Sequence, residues 1–424
     1  MKKVFHSAVS LIAVLMLCFM ALAGCSSGDA PAAADPTDTS TREVSANPVT
    51  PATEPATEPP SSEPETENAA PVTVSLVAVG DMLMHTSASN PALMADGSYN
   101  YDYLFANVKD AIQSADIAVV NNEVIMGGND KGNIGYPAFN VRTELGDAEV
   151  SAGFDVVLHA SNHAIDQGAG GILNCLEYWN GSHPDTAVLG IHNSAENASQ
   201  IYVRDVKGIK IAMLNYTYGL NGLEVPEGME YTVDIMTDAT KDKIASDIAR
   251  AKEISDFVIV YPHWGTEYNL AADESQNSWA GFFAENGVDL VIGTHPHVIE
   301  PVQWIDRPDG GRMLVYYSLG NFVSVQYYNF SMLGGMAKVS ITKDASGTYI
   351  SDYDMDFLVT HYTAGRSVIT TYFLDDYTDE LASQHAILFE PSDKYMQVNQ
   401  GYSFNIAGLR AIAKSVCPEF AQDY

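Results

Sequence analysis

Five short clusters in this chain carry residues suited to holding metal ions. Asp81 follows Gly80, with His85 four residues on; Asn121-Asn122-Glu123 forms the second cluster; Ser161-Asn162-His163 is the third, with Asp166 close behind. The fourth is His263 beside Trp264, and the fifth is Thr294-His295-Pro296-His297. Carboxylates bring negative charge and can bridge two cations, while imidazoles add a borderline-soft nitrogen, so the set suits a pair of divalent ions. Two such ions about 3.5–4 Å apart activate water and grip phosphoryl oxygens during an in-line displacement. Each cluster also has an ordinary reading. Asp81 and Asn162 could be caps, His85 a half-buried or surface histidine, and His263 a packed ring. His295 and His297 would share a face in an extended segment, or be aimed at two neighbouring ions by an irregular loop around Pro296.

The elements expected to deliver these groups are apolar, β-branched runs. Val72–Val79 closes on Gly80-Asp81, and similar runs occupy Asp116–Val120, Phe154–His159, Lys210–Leu214, Asp256–Val260, Val288–Ile292 and Met313–Tyr317. Helices are predicted over Glu144–Ala152, Gly170–Trp179 and Asp242–Ile254, the last with Ile244, Ile248 and Ile254 on one side. Ile201–Val206 and Ile209–Leu214 flank Lys207-Gly208 as a hairpin, and Ala337–Ile341 pairs with Tyr349–Leu358. This alternation predicts an α/β fold with mixed sheets. The polar clusters all follow strands, and the carboxyl ends of strands are where such sheets place their ligands.

The chain begins with an address. Lys2 and Lys3 precede the apolar run Leu11–Ala23, which is short for a bilayer span and ends Leu22-Ala23-Gly24-Cys25. That ending resembles a bacterial lipobox, predicting a signal peptide over 1–24 and lipid on Cys25. Residues 25–70 are acidic and rich in Pro, Thr and Glu, with Pro51–Pro59 nearly repeating itself, and read as a disordered tether. The folded region is assigned to 71–375, and 376–424 to a C-terminal extension packed on it. The expected location is therefore extracytoplasmic, anchored to the cell membrane by lipid. Lys and Arg total 21 against 54 Asp and Glu, a formal net charge of −33, which argues against nucleic acid as a partner. Cys175 and Cys417 either form a bridge or remain two thiols.

In their order the clusters resemble the CapA family of bacterial capsule and poly-gamma-glutamate synthesis proteins, within the calcineurin-like metallophosphoesterase superfamily. The resemblance is carried by Gly80-Asp81-Met82-Leu83, Asn121-Asn122-Glu123, Ser161–Gly168, His263–Tyr268, Gly293–Val298 and Tyr317–Phe322. It implies a metallophosphoesterase-like four-layer sandwich of two mixed β-sheets flanked by helices. It further implies two divalent cations, Mn, Fe or Zn. Asp81, Glu123 and His297, with His85 as an added ligand, would hold one cation; Glu123, Asn162, His263 and His295 would hold the other. His163 would act beside the leaving group, oriented by Asp166, with Glu267 contacting substrate or supporting the ligands. Departures from the superfamily pattern are Glu123 in place of a bridging Asp and Leu83 where a histidine is usual; Asn122, Ser161 and Glu300 are further substitutions. The implied substrate is a phosphoester or an anionic envelope polymer, handled near a membrane export or synthesis complex. A non-catalytic polymer-binding or export-assembly lipoprotein is the alternative, and hydrolysis of gamma-glutamyl amide bonds a third reading.

Overall fold

The computed structural model describes residues 70–389 and 403–424. The predicted signal peptide and all but the last residue of the tether lie outside the described residues. Among the described residues, no helix is long and apolar enough to cross a membrane.

Among the described residues, fourteen strands form two sheets. In chain order the first are β1 (Val72–Met82), β2 (Ile117–Asn122), β3 (Val156–Leu158) and β4 (Ala187–Leu189). Then come β5 (Tyr202–Val206), β6 (Ile209–Thr217), β7 (Phe257–His263), β8 (Leu290–Ile292), β9 (Val302–Asp306) and β10 (Arg312–Tyr316). The last are β11 (Asn321–Val323), β12 (Leu333–Asp344), β13 (Gly347–Tyr362) and β14 (Ile369–Phe373). The first sheet runs β14-β13-β12-β1-β2-β3-β4, with β11 also paired to β1; the second runs β5-β6-β7-β8-β10-β9. Both are mixed: β1 to β4 are parallel, with β11 parallel to β1, and so are β6, β7, β8 and β10, while the remaining strands of each sheet are antiparallel.

The layering follows from the two-residue period of the strands. In the second sheet Ile211, Ile259, Leu290 and Leu314 face the first sheet and join one core. Their neighbours Ala212, Val258, Val291 and Val315 face outward and join another. Helices Lys241–Ile254 and Glu274–Glu285 cover that outer face through Ile244, Ile248, Trp279 and Phe283. Helices Glu144–Ala152 and Gly168–Ser182 pack on the first sheet through Leu145, Ala148, Ile172 and Trp179. The result is the expected sandwich: helices, sheet, sheet, helices. A helix over Ile406–Val416 adds Leu409, Ile412 and Ala413 to the core between the sheets.

Two strands differ from expectation in a way that matters for the site. β1 does not end at Val79 but continues through Asp81, because β11 lies parallel beside it and the Gly320 carbonyl accepts the Asp81 N–H at 2.8 Å. β7 likewise runs through His263, held in register with Thr217 of β6. Strands β4, β9, β11 and β14 and helix Glu274–Glu285 are additions to the predicted set; β4 and β11 have three residues each, too few to show a period.

Gly80 is required by the close approach of β11. A Cβ at this position would collide with the Gly320 carbonyl oxygen, and both partners are backbone that cannot swing aside. Gly80→Ala is therefore expected to destabilise the protein by about 3 kcal/mol, at the upper end for overpacking. Urea unfolding would read this as a lower midpoint at unchanged slope.

Candidate metal centre

The parallel strands of both sheets end at one place. β1 supplies Asp81 and β2 leads directly into Glu123. The turn after β3 supplies Asn162 and His163, β7 ends on His263, and the loop after β8 carries His295 and His297. Asp81, Glu123, Asn162, His263, His295 and His297 are all nearly or fully buried.

Their separations are short. His297 Nδ1 lies 3.1 Å from Asp81 Oδ2 and 3.5 Å from Glu123 Oε2. His263 Nε2 lies 2.9 Å from Asn162 Oδ1 and 3.6 Å from Glu123 Oε1. His295 Nδ1 stands 3.9 Å from the same Glu123 oxygen. Two groups of potential ligands result, Glu123 with His295 and His297, and Asp81 with Glu123 and His263; within each, one donor atom per residue lies within 4.8 Å of the others. Glu123 belongs to both.

The backbone of the fifth cluster decides between its two readings. His295 has φ of 99° and His297 φ of 60°, left-handed conformations that cost non-glycine residues energy and concentrate at functional sites. The segment is thus an irregular loop. Its turn directs the His295 N–H at both Asp81 carboxylate oxygens, at 3.2 and 3.3 Å. Gly293, two residues earlier, permits the close approach of the Tyr317 backbone, since a Cβ there would strike the Tyr317 carbonyl oxygen.

The chemistry of the donor set fits cations. Both Glu123 oxygens and His295 Nδ1 are buried without a hydrogen-bond partner among the described residues. An unpartnered buried carboxylate is costly in free energy, and a cation is the group that would satisfy both oxygens together. Burial pushes the Glu123 carboxyl upward despite the attraction of His297. Burial acts the same way on Asp81, but there the hydrogen bond and charge of His297 prevail and the net direction is down. Desolvation pushes His263 down to about 3 and His295 down to about 4, leaving neutral rings with lone pairs to donate. For His297 burial is outweighed by the Glu123 charge and by the Asp81 contact, raising it to about 9.

Beside these groups, His163 Nδ1 sits 2.7 Å from Asp166 Oδ2, and the same oxygen accepts the Phe139 N–H at 2.6 Å. The Phe139 ring packs edge-on against His163 at 4.7 Å, leaving the imidazole few orientations. His85 stands apart from both ligand groups: its Nδ1 is 3.4 Å from the Leu83 carbonyl and its ring packs on Phe139. Glu267 is exposed at the rim, and its charge reaches His263 and His297.

Three residues gain a role that the sequence reading did not assign. Asn121 donates to Asp81 Oδ1 at 2.9 Å, Thr294 Oγ1 lies 3.0 Å from His263 Nδ1, and the Tyr218 ring packs 4.7 Å from that of His295. Tyr218 follows the last residue of β6, so the rule of carboxyl ends applied to that strand would have found it.

Strand alternation sends Asn122 the other way. Its Nδ2 donates to Glu149 Oε2 at 3.1 Å, and burial pushes the Glu149 carboxyl from an ordinary 4.5 up to about 8. Between these values the unfolded chain has released this proton while the native protein keeps it. Stability from Glu149 is thus fully present below about 4.5 and falls as pH rises toward about 8. The slope is at most about 1.4 kcal/mol per pH unit. Glu149→Gln should remove it, as urea unfolding of variant and wild type across pH 5 to about 7.5 would show. Glu300, also raised to about 8 by burial, acts in the same window, so only the difference between the two proteins isolates Glu149.

Cys175 and Cys417 are both buried free thiols, which realises the second of the two readings given for them.

A family model described as bacterial capsule synthesis protein PGA_cap matches residues 75–326, more than half of the chain. The chain is 27% identical over 269 residues to the capsule biosynthesis protein CapA of Bacillus anthracis, covering 61% of this chain and 63% of that protein. It is 28% identical over 196 residues to the PGA biosynthesis protein CapA of Bacillus subtilis, covering 46% and 49%. The aligned region thus spans less than two thirds of either relative. Similar solved structures include a phosphatase from Mycoplasma pneumoniae, with a TM-score of 0.42 and 17% identity over 68% of this chain and 94% of that one. Another is a calcineurin-like phosphoesterase from Bacillus subtilis, with a TM-score of 0.36 and 13% identity over 68% and 90%.

Proposed function

The chain belongs to the bacterial capsule synthesis protein PGA_cap family, and from that premise we propose that it is a metal-dependent hydrolase cleaving a phosphoester in the assembly of a capsule or other envelope polymer. The observation that carries this reading is the Glu123 carboxylate, buried at the meeting point of both ligand groups with neither oxygen hydrogen-bonded.

In this reading the residues of the two overlapping groups, together with Asn162, would divide by their shortest separations: Asp81, Glu123 and His297 would hold one divalent cation, and Glu123, Asn162, His263 and His295 would hold a second. When bound, Mn, Fe or Zn ions supply Lewis acidity toward the phosphoryl oxygens and acidify water. The protein does the rest. Asn121 and Thr294 keep Asp81 and His263 oriented, as outer hydrogen bonds to ligands generally do. Asp166 holds His163 by Nδ1, which leaves the other ring nitrogen to donate a proton or hydrogen bond to the leaving oxygen. Burial of the ligand residues strengthens each of these interactions by excluding water. Lipid on Cys25 and the acidic tether hold the domain outside the cytoplasm.

The test is metal uptake by the purified protein together with turnover of p-nitrophenyl phosphate and its diester. Wild type should take up two equivalents of Mn and hydrolyse at least one ester, and His263→Ala should lose both properties. Failure to bind Mn, Fe or Zn under any loading would end the proposal. Metal uptake without hydrolysis of any ester would instead favour the non-catalytic, polymer-binding reading that the relatives' names also allow.

A further inference from the structure

The loop that follows β6 forms a wall of the metal centre. Tyr218 comes directly after Thr217, the last residue of that strand, and its backbone N–H donates to the His263 carbonyl at 3.0 Å. Three residues on, Asn221 takes a left-handed conformation, with φ of 53°, which asparagine tolerates better than most residues. Its Oδ1 accepts from Asn162 Nδ2 at 3.2 Å. The loop is thus tied twice to candidate ligands, to His263 through its backbone and to Asn162 through a side chain.

Between these ties the Tyr218 side chain lies over the second set of ligands. Its ring packs 4.7 Å from that of His295, which lies 4.8 Å from that of His263. Its hydroxyl comes within hydrogen-bonding reach of the Asn162 side chain and within the field of Glu123. Asn162 Oδ1 faces His263 Nε2 at 2.9 Å, so the Asn162 amide meets the phenol oxygen as a donor. The phenol keeps its proton at neutral pH, and that O–H is left to donate outward. The ring is 39% exposed, which opens this side to a ligand. Phenylalanine would cover His295 equally well, so the hydroxyl is the feature that packing does not require. Ligand atoms about 2.1 Å from one cation stand about 3 Å from one another. A donor in reach of the Asn162 side chain is therefore in reach of a phosphoryl oxygen seated beside it.

We infer that Tyr218 is a catalytic residue whose hydroxyl donates a hydrogen bond to a non-bridging oxygen of the phosphoryl group, a role that rests on the phosphoester reading above. Tyr218 keeps its proton throughout. His163 serves the leaving oxygen, and Tyr218 serves the charge that gathers on the transferred group, where a fixed donor in a buried site has its largest effect.

The experiment is Tyr218→Phe in the Mn-loaded protein, which keeps the ring on His295 and removes only the O–H. Its kcat for p-nitrophenyl phosphate should fall about 10²-fold with KM changed less than about threefold, the pattern of a contact that strengthens in the transition state. Calorimetry adds a readout that needs no turnover. Orthovanadate, which adopts the five-coordinate shape of the transition state, should bind the variant about tenfold or more weaker, and inorganic phosphate less than about threefold weaker. Elemental analysis should find both equivalents of Mn in the variant. Tyr218→Leu, which removes the ring as well, should match the Tyr218→Phe loss in kcat within about threefold. Unchanged kcat and vanadate affinity in Tyr218→Phe, or a loss confined to Tyr218→Leu, would make Tyr218 a packing wall and overturn the inference. Loss of Mn from Tyr218→Phe would overturn it too, by assigning the residue to support of the ligands. If the wild type hydrolyses no ester, the phosphoesterase reading falls by itself. The vanadate constants then decide alone, weaker binding by Tyr218→Phe supporting the donor and equal or absent binding refuting it.

Discussion

Glu123→Gln should abolish metal binding and turnover while making the metal-free protein more stable. The substitution keeps the shape of the side chain but replaces one anionic oxygen with an N–H donor, which cannot ligate a cation. Since Glu123 is the member common to both ligand groups, one change affects both. Loss of a group that merely supports a metal ligand costs about 10- to 100-fold in affinity, and loss of the shared ligand itself should exceed that. Hydrolysis should fall by about 10³-fold or more. Stability moves the opposite way because both wild-type oxygens are buried without a hydrogen bond, facing imidazole nitrogens at 3.5 to 3.9 Å, a cost of about 1–3 kcal/mol that a neutral amide reduces. Bound metal at a thousand times its Kd would return about 4 kcal/mol to the wild type and nothing to the variant. Thermal melts with and without Mn should therefore cross: the variant melts higher without metal, the wild type higher with it. A variant that retains two equivalents of metal by elemental analysis would show that Glu123 does not hold them.

The second large effect is expected from His163→Ala. This side chain lies beside the ligands rather than among them, so the variant should keep its metal and lose turnover by about 10²- to 10⁴-fold, the usual range for a proton donor. Asp166 fixes the ring through Nδ1 and is itself fixed by the Phe139 N–H, so the free nitrogen has one direction available. The loss should depend on the ester. An alkyl phosphate, whose alcohol leaves poorly without a proton, should suffer more than p-nitrophenyl phosphate, whose phenolate leaves readily. Rates for a series of leaving groups would show this as a steeper dependence in the variant. An equal loss for every ester would assign His163 to binding and remove it from proton transfer. Asp166→Asn should follow the same trend more weakly, because it disturbs the orientation of His163 without deleting the ring.

Much of this architecture is legible in the sequence. The β-branched runs at Val72, Asp116, Lys210 and Asp256 mark strands because a strand buried on both faces must be apolar throughout. The polar groups after them mark a site because they interrupt that pattern where a buried charge would otherwise be excluded. What escaped notice was short or non-local. β11 has three residues and exists only because β1 offers it an edge. The helix Glu274–Glu285 carries its apolar residues on a face that only the second sheet defines. His85 has the right chemistry for a ligand, yet the backbone after Met82 turns it onto Phe139.

The sequence alone therefore determined most of the longer elements, the chemistry of the candidate ligand set and the edge of the sheets to which it goes, because these depend on residue type and on periods of a few residues. The tertiary structure decided the rest. It set the left-handed turn that aims His295 and His297, the pairing of Asn122 with Glu149, the two free thiols and the seat of Tyr218 against His295. Each of these depends on groups far apart in the chain meeting at distances of a few ångströms, and such meetings are governed by packing rather than by local preference.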